Sequence, residues 1–361
     1  MQVEGIIKNQ LGGGSRNSSL EMLRLLSMLM VLILHSFWGY THGSGILQAL
    51  DFFRECAAIC AVNVFLLISG YFGIRWKFKS LFNLVFQLFF YAFAIYGAAA
   101  LLGVIDFSIK GLLKNVTCLY THWGFITCYL LLYLCAPLLN SFVQQVTNKQ
   151  LLGFIVILVF SETFITRDYA FLNYCTMYLI GRYISVSDAV HSDRIKPGLW
   201  YWIATFLIFG LVYVSYKFLH ITDAAMMQAL PWGLSYAAPL VILQAAFLFI
   251  WFARMEFQSK IINWIAASCL SIFLIHMHPS IKQIGYYNYT ESLYSLPVME
   301  HIWKLVVLIV VVFFDSILID KVRIAISLLF YRLCLWILSV IKISNTNILA
   351  YIPNQVSNGR L

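Results

Sequence analysis

Long uncharged stretches recur along the chain and limit its fold more than any other feature. No charged side chain occurs from Leu81 to Ile105 or from Gln228 to Ala253. With 61% apolar and 11% charged residues, the chain has more apolar surface than one water-soluble core can bury. The runs lack the apolar-polar alternation of barrel strands, and backbone groups in lipid must be hydrogen-bonded internally. The sequence therefore predicts an all-α, polytopic transmembrane helical bundle.

About twenty apolar residues cross a hydrocarbon core of about 30 Å. By this rule we predict ten spans, at about 20–40, 52–73, 81–104, 123–143, 150–166, 169–186, 198–219, 232–253, 264–281 and 302–320. Most of the 24 lysines and arginines then lie on one side, which predicts that both termini are cytoplasmic.

The segments between the predicted spans are too short to form a soluble domain. We divide the chain into a cytoplasmic N-terminal tail (1–19), a transmembrane domain (20–320) and a basic, amphipathic cytoplasmic C-terminal tail (321–361). The first span lacks a cleavage signal, so it is expected to be retained. The eight cysteines show no metal-ligand spacing, and we expect no metal site. The lipid bilayer is an expected partner, whereas nucleic acid is not.

The first predicted span carries one ionisable group near each end. Ser18 and Glu21 have the spacing of a capping box, which predicts the start of the helix. Arg24 and His35 are eleven residues apart, so they share one helix face about 16 Å apart along the axis. Arg24 alone is compatible with a membrane anchor, and His35 with a hydrogen-bonded interior histidine. Ionisable groups within a span are costly, however, and this makes both residues functional candidates.

A basic segment follows the second predicted span. The span ends with Ser69, Gly70 and Tyr71, and Arg75 and Lys77 follow within six residues. These cations are compatible with a simple topology signal. They are equally compatible with a site that binds the phosphate groups of a polyanionic substrate.

Four segments resemble those of the acyltransferase-3 family of membrane O-acyltransferases, in particular its polysaccharide O-acetyltransferases. They are Leu20–Arg24 with His35, Val64–Tyr71 with Arg75–Lys77, His122–Phe125 with Tyr129, Tyr133 and Pro137, and Ser268–His276. Glu21, Lys77 and Phe273 stand where the family more often has aspartate, arginine and tyrosine. The acidic partner that orients the family's histidine has no clear counterpart, and Glu162 and Asp315 are weak candidates.

The resemblance implies that the protein moves an acyl group, usually acetyl, from cytoplasmic acyl-CoA to a hydroxyl of an extracytoplasmic or lipid-linked glycan. It also implies a bacterial inner membrane. Acyl-CoA is then the donor substrate, and no tightly bound cofactor is expected. His35 is expected to be the general base, acting with Arg24 as a catalytic residue. The predicted donor-binding residues are Arg75, Lys77, Ser69 and Tyr71.

The resemblance also indicates candidates for the acceptor site. His122, Trp123 and His276 are candidates for it, although His122 and Trp123 also fit an aromatic belt at the membrane surface. Ser69, Tyr71 or His122 are possible oxyanion donors. Direct transfer and a covalent acyl-enzyme relay both remain open, as does the choice between acetyl and succinyl. Two other functions are compatible with the composition: a transporter or flippase of a lipid-linked saccharide, and a non-catalytic scaffold.

Overall fold

The computed structural model describes residues 17–117, 124–165, 170–187, 190–192 and 195–340. Side chains at 78–79, 116–117, 328 and 330–340 lie outside this description. In the described ranges all regular secondary structure is helical, which confirms the predicted all-α class.

Fifteen α-helices follow one another in these ranges: α1 Ser18–Leu34, α2 Gly45–Ala58, α3 Ala61–Phe72, α4 Phe78–Leu101, α5 Ile109–Thr117, α6 Gly124–Gln145, α7 Asn148–Phe164, α8 Ala170–Val186, α9 Pro197–Phe218, α10 Ala224–Ala229, α11 Pro239–Ala253, α12 Lys260–Ala266, α13 Cys269–His276, α14 Asn288–Ser292 and α15 Val298–Val340. A π-helical turn, Gln283–Tyr287, precedes α14, and a 3₁₀ turn, Leu293–Ser295, follows it.

Five helical stretches of the described chain are long and apolar enough to cross a membrane: Gly45–Phe72, Ser80–Leu101, Gly124–Gln145, Pro197–Phe218 and Val298–Ser327. The first combines α2 and α3. Three further predicted spans correspond to α1, α7 and α8, with 17 residues each. At about 1.5 Å per residue, each of these is about 25 Å long, which is shorter than a typical hydrocarbon core of about 30 Å. The count of ten spans therefore stays a prediction.

Two local predictions were wrong. The second span was expected to begin near residue 52, but its helical stretch begins at Gly45, because the charged Asp51 and Arg54 pair with each other inside it. The N-cap of α1 is Asn17, whose side chain accepts hydrogen bonds from two backbone amides of the first turn. No capping box forms between Ser18 and Glu21, since the Ser18 hydroxyl is bonded to the segment that begins α12.

Helix α1 lies at the centre of the packing and contacts α2, α3, α11, α12 and α13. Helix α3 also packs closely on α8. At their crossing, a Cβ added to Gly70 would collide with the Tyr178 carbonyl, and one added to Gly181 would collide with the Leu67 carbonyl. The two glycines therefore permit backbone contact between helices that carry candidate functional residues.

The chain forms two compact units, one ending at Ile317 and a second beginning at Leu318. Helix α15 is continuous from Val298 to Val340. All of the candidate site residues belong to the first unit.

Candidate active site

Two histidines from distant parts of the sequence meet at the ends of α1 and α13. His35 is the C-cap residue of α1, and His276 is the last residue of α13. Nδ1 of His35 lies 2.8 Å from Nε2 of His276, and the ring centroids are 5.1 Å apart. His276 is buried, whereas His35 is half-buried. The hydrogen-bond partner of His35 is thus a second imidazole.

The hydrogen bonds of His276 determine which nitrogen of His35 can act as a base. Nδ1 of His276 lies 2.5 Å from the carbonyl oxygen of Ile272. A carbonyl only accepts, so this nitrogen carries the proton, and Nε2 of a neutral His276 is an acceptor. His35 then donates through Nδ1, and its Nε2 retains the lone pair. The arrangement leaves one basic nitrogen on the half-buried ring.

Aromatic side chains hold the two imidazoles in place. The Tyr286 hydroxyl donates to the Leu32 carbonyl in the last turn of α1 at 2.6 Å, and its ring centroid lies 5.3 Å from that of His276. The Phe273 ring centroid lies 6.3 Å from His35 and 6.0 Å from His276. Phe273 therefore contacts both histidines, although it replaces the more frequent tyrosine of the family.

The chain directly after His35 is fixed by an ion pair from α2. Arg54 donates to the Ser36 hydroxyl at 2.9 Å and to the Ser36 carbonyl at 2.7 Å. Its Nε lies 2.9 Å from the carboxylate of Asp51, which is 2% exposed. A guanidinium anchored to a buried carboxylate thus sets the backbone position of the turn that follows His35.

The same ion pair is joined to the segment before α15. The Tyr294 hydroxyl donates to the Asp51 carboxylate and accepts from Arg54 at 3.1 Å and from the Trp38 amide at 3.3 Å. Burial raises the pKa of the Tyr294 phenol well above its usual range, so the phenol stays protonated and remains a donor. Sequence reasoning missed this network, although the spacing of Asp51 and Arg54 on one helix face was a usable signal.

At the other end of α1, Arg24 has a partner of its own. Its guanidinium lies 2.8 Å from the Glu21 carboxylate, and a third of its side chain is exposed. The thiol of Cys269 donates to the Arg24 carbonyl at 3.4 Å. Arg24 is therefore partly neutralised, and it is tied to the same helical segment, α12–α13, that carries His276.

The basic segment between α3 and α4 is held by hydrogen bonds to two other helices. Gly73 begins it with a φ of 69°, a conformation that favours glycine. The Ile74 amide donates to the Tyr178 hydroxyl at 2.9 Å, and its carbonyl accepts from Asn140 at 2.9 Å. Tyr178 in turn donates to the Asn140 side chain at 2.9 Å. The first residues of the segment are thus fixed to α6 and α8.

The second half of the segment is fixed by Tyr133. The Trp76 indole donates to the Tyr133 carbonyl at 2.9 Å, and the Lys77 amide donates to the Tyr133 hydroxyl at 3.1 Å. The side chains of Arg75 and Lys77 are exposed, and neither forms an ion pair with a described carboxylate. A topology signal requires only positive charges and no fixed backbone. A fixed backbone with two exposed cations is compatible with a site that binds an anion.

The remaining predicted residues have contacts that do not indicate a particular role. The Ser69 hydroxyl donates to the Phe65 carbonyl at 2.9 Å and lies 3.3 Å from the Tyr129 hydroxyl. The ring of Tyr71 packs on that of Phe249, with centroids 5.2 Å apart. Their roles in donor binding stay predictions. His122 and Trp123 lie outside the described residues.

Neither suggested acidic partner of His35 contacts it among the described residues. Glu162 is bonded to Thr176 and Asn173 of α8, and Asp315 is exposed on α15. The partner is instead His276, which sequence reasoning assigned to the acceptor site. Arg182 was not among the predicted site residues, yet its guanidinium lies beside Gly73 in the basic segment.

These features define a helical membrane protein with a pair of hydrogen-bonded histidines at one end of its central helix and a fixed basic segment between α3 and α4. The model of the acyltransferase-3 family, described as an acyltransferase domain, matches residues 17–321. Because the match covers most of the chain, the protein belongs to this family and is a membrane acyltransferase. No curated protein and no solved structure matches it.

Proposed function

We propose that the protein transfers an acyl group, in the first instance acetyl, from cytoplasmic acyl-CoA to a hydroxyl of an extracytoplasmic or lipid-linked glycan. The observation that carries this proposal is the free Nε2 of His35, which the bond to His276 leaves as the basic nitrogen. An alcohol is a poor nucleophile at neutral pH, so a base of this kind is what the reaction requires.

In the proposed reaction, Nε2 of His35 takes the proton of the acceptor hydroxyl as its oxygen attacks the thioester carbonyl. The carbon-sulfur bond then breaks, and the thiolate of coenzyme A leaves and receives the proton from the imidazolium. While His35 carries two protons, its Nδ1–H still donates to His276, which keeps the ring in position. Direct transfer in this form needs no covalent intermediate.

The donor is proposed to bind at the opposite end of α1. Successive spans cross the bilayer in opposite directions, so the segment after α3 belongs on the same side as Arg24. The phosphates of acyl-CoA would then bind Arg75 and Lys77, and the pantetheine arm would extend along α1 toward His35, over roughly 16 Å. Because Arg24 is already paired with Glu21, we assign most of the phosphate binding to the basic segment.

The proposal includes the membrane arrangement predicted from the sequence. Ten spans place both termini in the cytoplasm and the two histidines at the outer end of α1. The expected location is the inner membrane of a bacterium. The glycan is expected to approach from the outer side, near His35 and the predicted acceptor residues His122 and Trp123.

The test compares variants in a cell that produces the acceptor glycan. Wild-type protein should give O-acetyl signals in the NMR spectrum of the glycan, and His35→Ala should remove them. His191→Ala is a matched control, since His191 is exposed and has no described hydrogen bond. Acetylation at the wild-type level in His35→Ala would disprove the role of His35 as the general base. A glycan that reaches the surface only with the protein, without any acyl group, would indicate transport instead.

A further inference from the structure

A second cation stands beside the basic segment, on a different helix. Arg182 lies near the end of α8, and a Cβ added to Gly73 would be 3.1 Å from its Nη1. Arg75 follows Gly73 by two residues, and the two guanidinium groups carry like charges that repel each other. A cation of the basic segment and a cation of α8 therefore lie in the same part of the fold.

The hydrogen bonding of Arg182 is incomplete. Among the residues that the structure describes, its Nε is buried without a partner, and Nη1 has only a long contact of 3.4 Å to the Ser185 hydroxyl. No described carboxylate forms an ion pair with it. A guanidinium that is partly withdrawn from water without a counter-ion is costly, and a neighbouring like charge adds to the cost.

Another half-buried arginine, Arg254, has a purely structural role. Arg254, at the end of α11, donates to three backbone carbonyls, those of Val190, Ser192 and Ile195, at 2.6 to 2.8 Å. Its guanidinium thereby fastens a connecting loop. In the described part of the chain, the Arg182 guanidinium makes no comparable set of hydrogen bonds to a loop. Its N–H groups are therefore available to a ligand.

We propose that Arg182 and Arg75 together bind one phosphate group of the acyl donor. A phosphate ester placed between them would supply the missing acceptor to the Arg182 guanidinium and remove the repulsion between the two charges. The Ile74 amide donates to Tyr178 and the Ile74 carbonyl accepts from Asn140, and these bonds keep the neighbouring Arg75 backbone in place before the ligand arrives, which lowers the entropic cost of binding. The proposal rests on the proposed acyl-CoA donor for the identity of the phosphate.

The experiment measures binding of coenzyme A to the purified full-length protein in neutral detergent by calorimetry. Pantetheine, which has the same thiol arm without phosphates, serves as the second ligand. We expect Arg182→Gln to weaken binding of coenzyme A about tenfold or more, and Arg182→Lys to weaken it less. Binding of pantetheine should be the same in all variants. Lys149→Gln is the matched control, because it removes one exposed charge without a described ion pair.

The outcomes separate this inference from the proposed function. If Arg182→Gln binds coenzyme A as tightly as wild type does, the inference is wrong, while acyl transfer by the wild type would still uphold the function. If Arg182 matters only for binding of phosphatidylglycerol added to the detergent, the site is a lipid site and the inference is again wrong. If wild-type protein neither binds coenzyme A nor transfers an acyl group, both proposals fail. Melting curves of Arg182→Gln and Arg182→Lys exclude loss of folding as the cause.

Discussion

The contact between His35 and His276 leads to a quantitative prediction about catalysis. A positioned general base contributes about 10² to 10⁴-fold to rate, and this is the loss expected for His35→Ala. His276 acts through His35 by holding its ring and accepting from Nδ1. Loss of such an orienting partner costs about 10 to 100-fold, so we expect His276→Leu to lose this much in kcat, or about 1.4–2.8 kcal/mol in the barrier.

Two further variants make the prediction specific. In His276→Gln the amide oxygen can accept from His35 in place of Nε2, and this variant should recover part of the loss. The double variant, His35→Ala with His276→Leu, should be no slower than His35→Ala alone, because an orienting group has no effect once the base is gone.

The assay follows release of free thiol from acetyl-CoA in the presence of acceptor, with kcat and KM measured separately. KM for acetyl-CoA should change little, since the proposed phosphate site lies at the other end of α1 from the histidines. If the loss of kcat in the double variant equals the product of the two single losses, the coupling between His35 and His276 is refuted. A His276→Leu protein with the wild-type kcat would refute it as well.

Three other predictions concern folding and are measured by thermal unfolding in detergent. Gly181→Val should destabilise the protein by at least about 1–3 kcal/mol, because its Cβ collides with α3, whereas Gly210→Ala, with open space around it, should be neutral or stabilising by about 0.5–1 kcal/mol. Arg54→Gln should cost about 3–5 kcal/mol by leaving Asp51 buried and unpaired, and it should lower activity through the turn after His35. Asn17→Ala should cost about 1 kcal/mol by removing the cap of α1. Unchanged melting of Gly181→Val or Arg54→Gln would contradict the packing described above.

The all-α fold class could be predicted from the sequence, because the length of an apolar run and its helical periodicity are local properties. The sequence located α1 and its two ionisable residues, and the basic segment after α3. It misplaced the start of the second span, because Asp51 was assumed to lie outside it. The pairing of Asp51 with Arg54 overrides that assumption.

Which residues come together in the site was harder to predict from the sequence. The partner of His35 is 241 residues away in sequence, and no local pattern connects the two positions. The family resemblance implied an acidic partner for His35, whereas the structure provides a second imidazole. Arg182 was not predicted as a site residue, because a position near the end of a helix also fits a residue that only terminates the span. Only its packing against Gly73 reveals its neighbour Arg75.

We propose that an acyl group passes from a donor bound near Arg75 to a hydroxyl near His35, across the membrane. The most direct measurement uses purified protein in vesicles with known orientation, with acetyl-CoA on one side and the acceptor glycan on the other. We expect acetylated glycan only when acetyl-CoA is on the side of Arg75, and none with His35→Ala. Equal acetylation with acetyl-CoA on either side, or full activity of His35→Ala, would contradict the account.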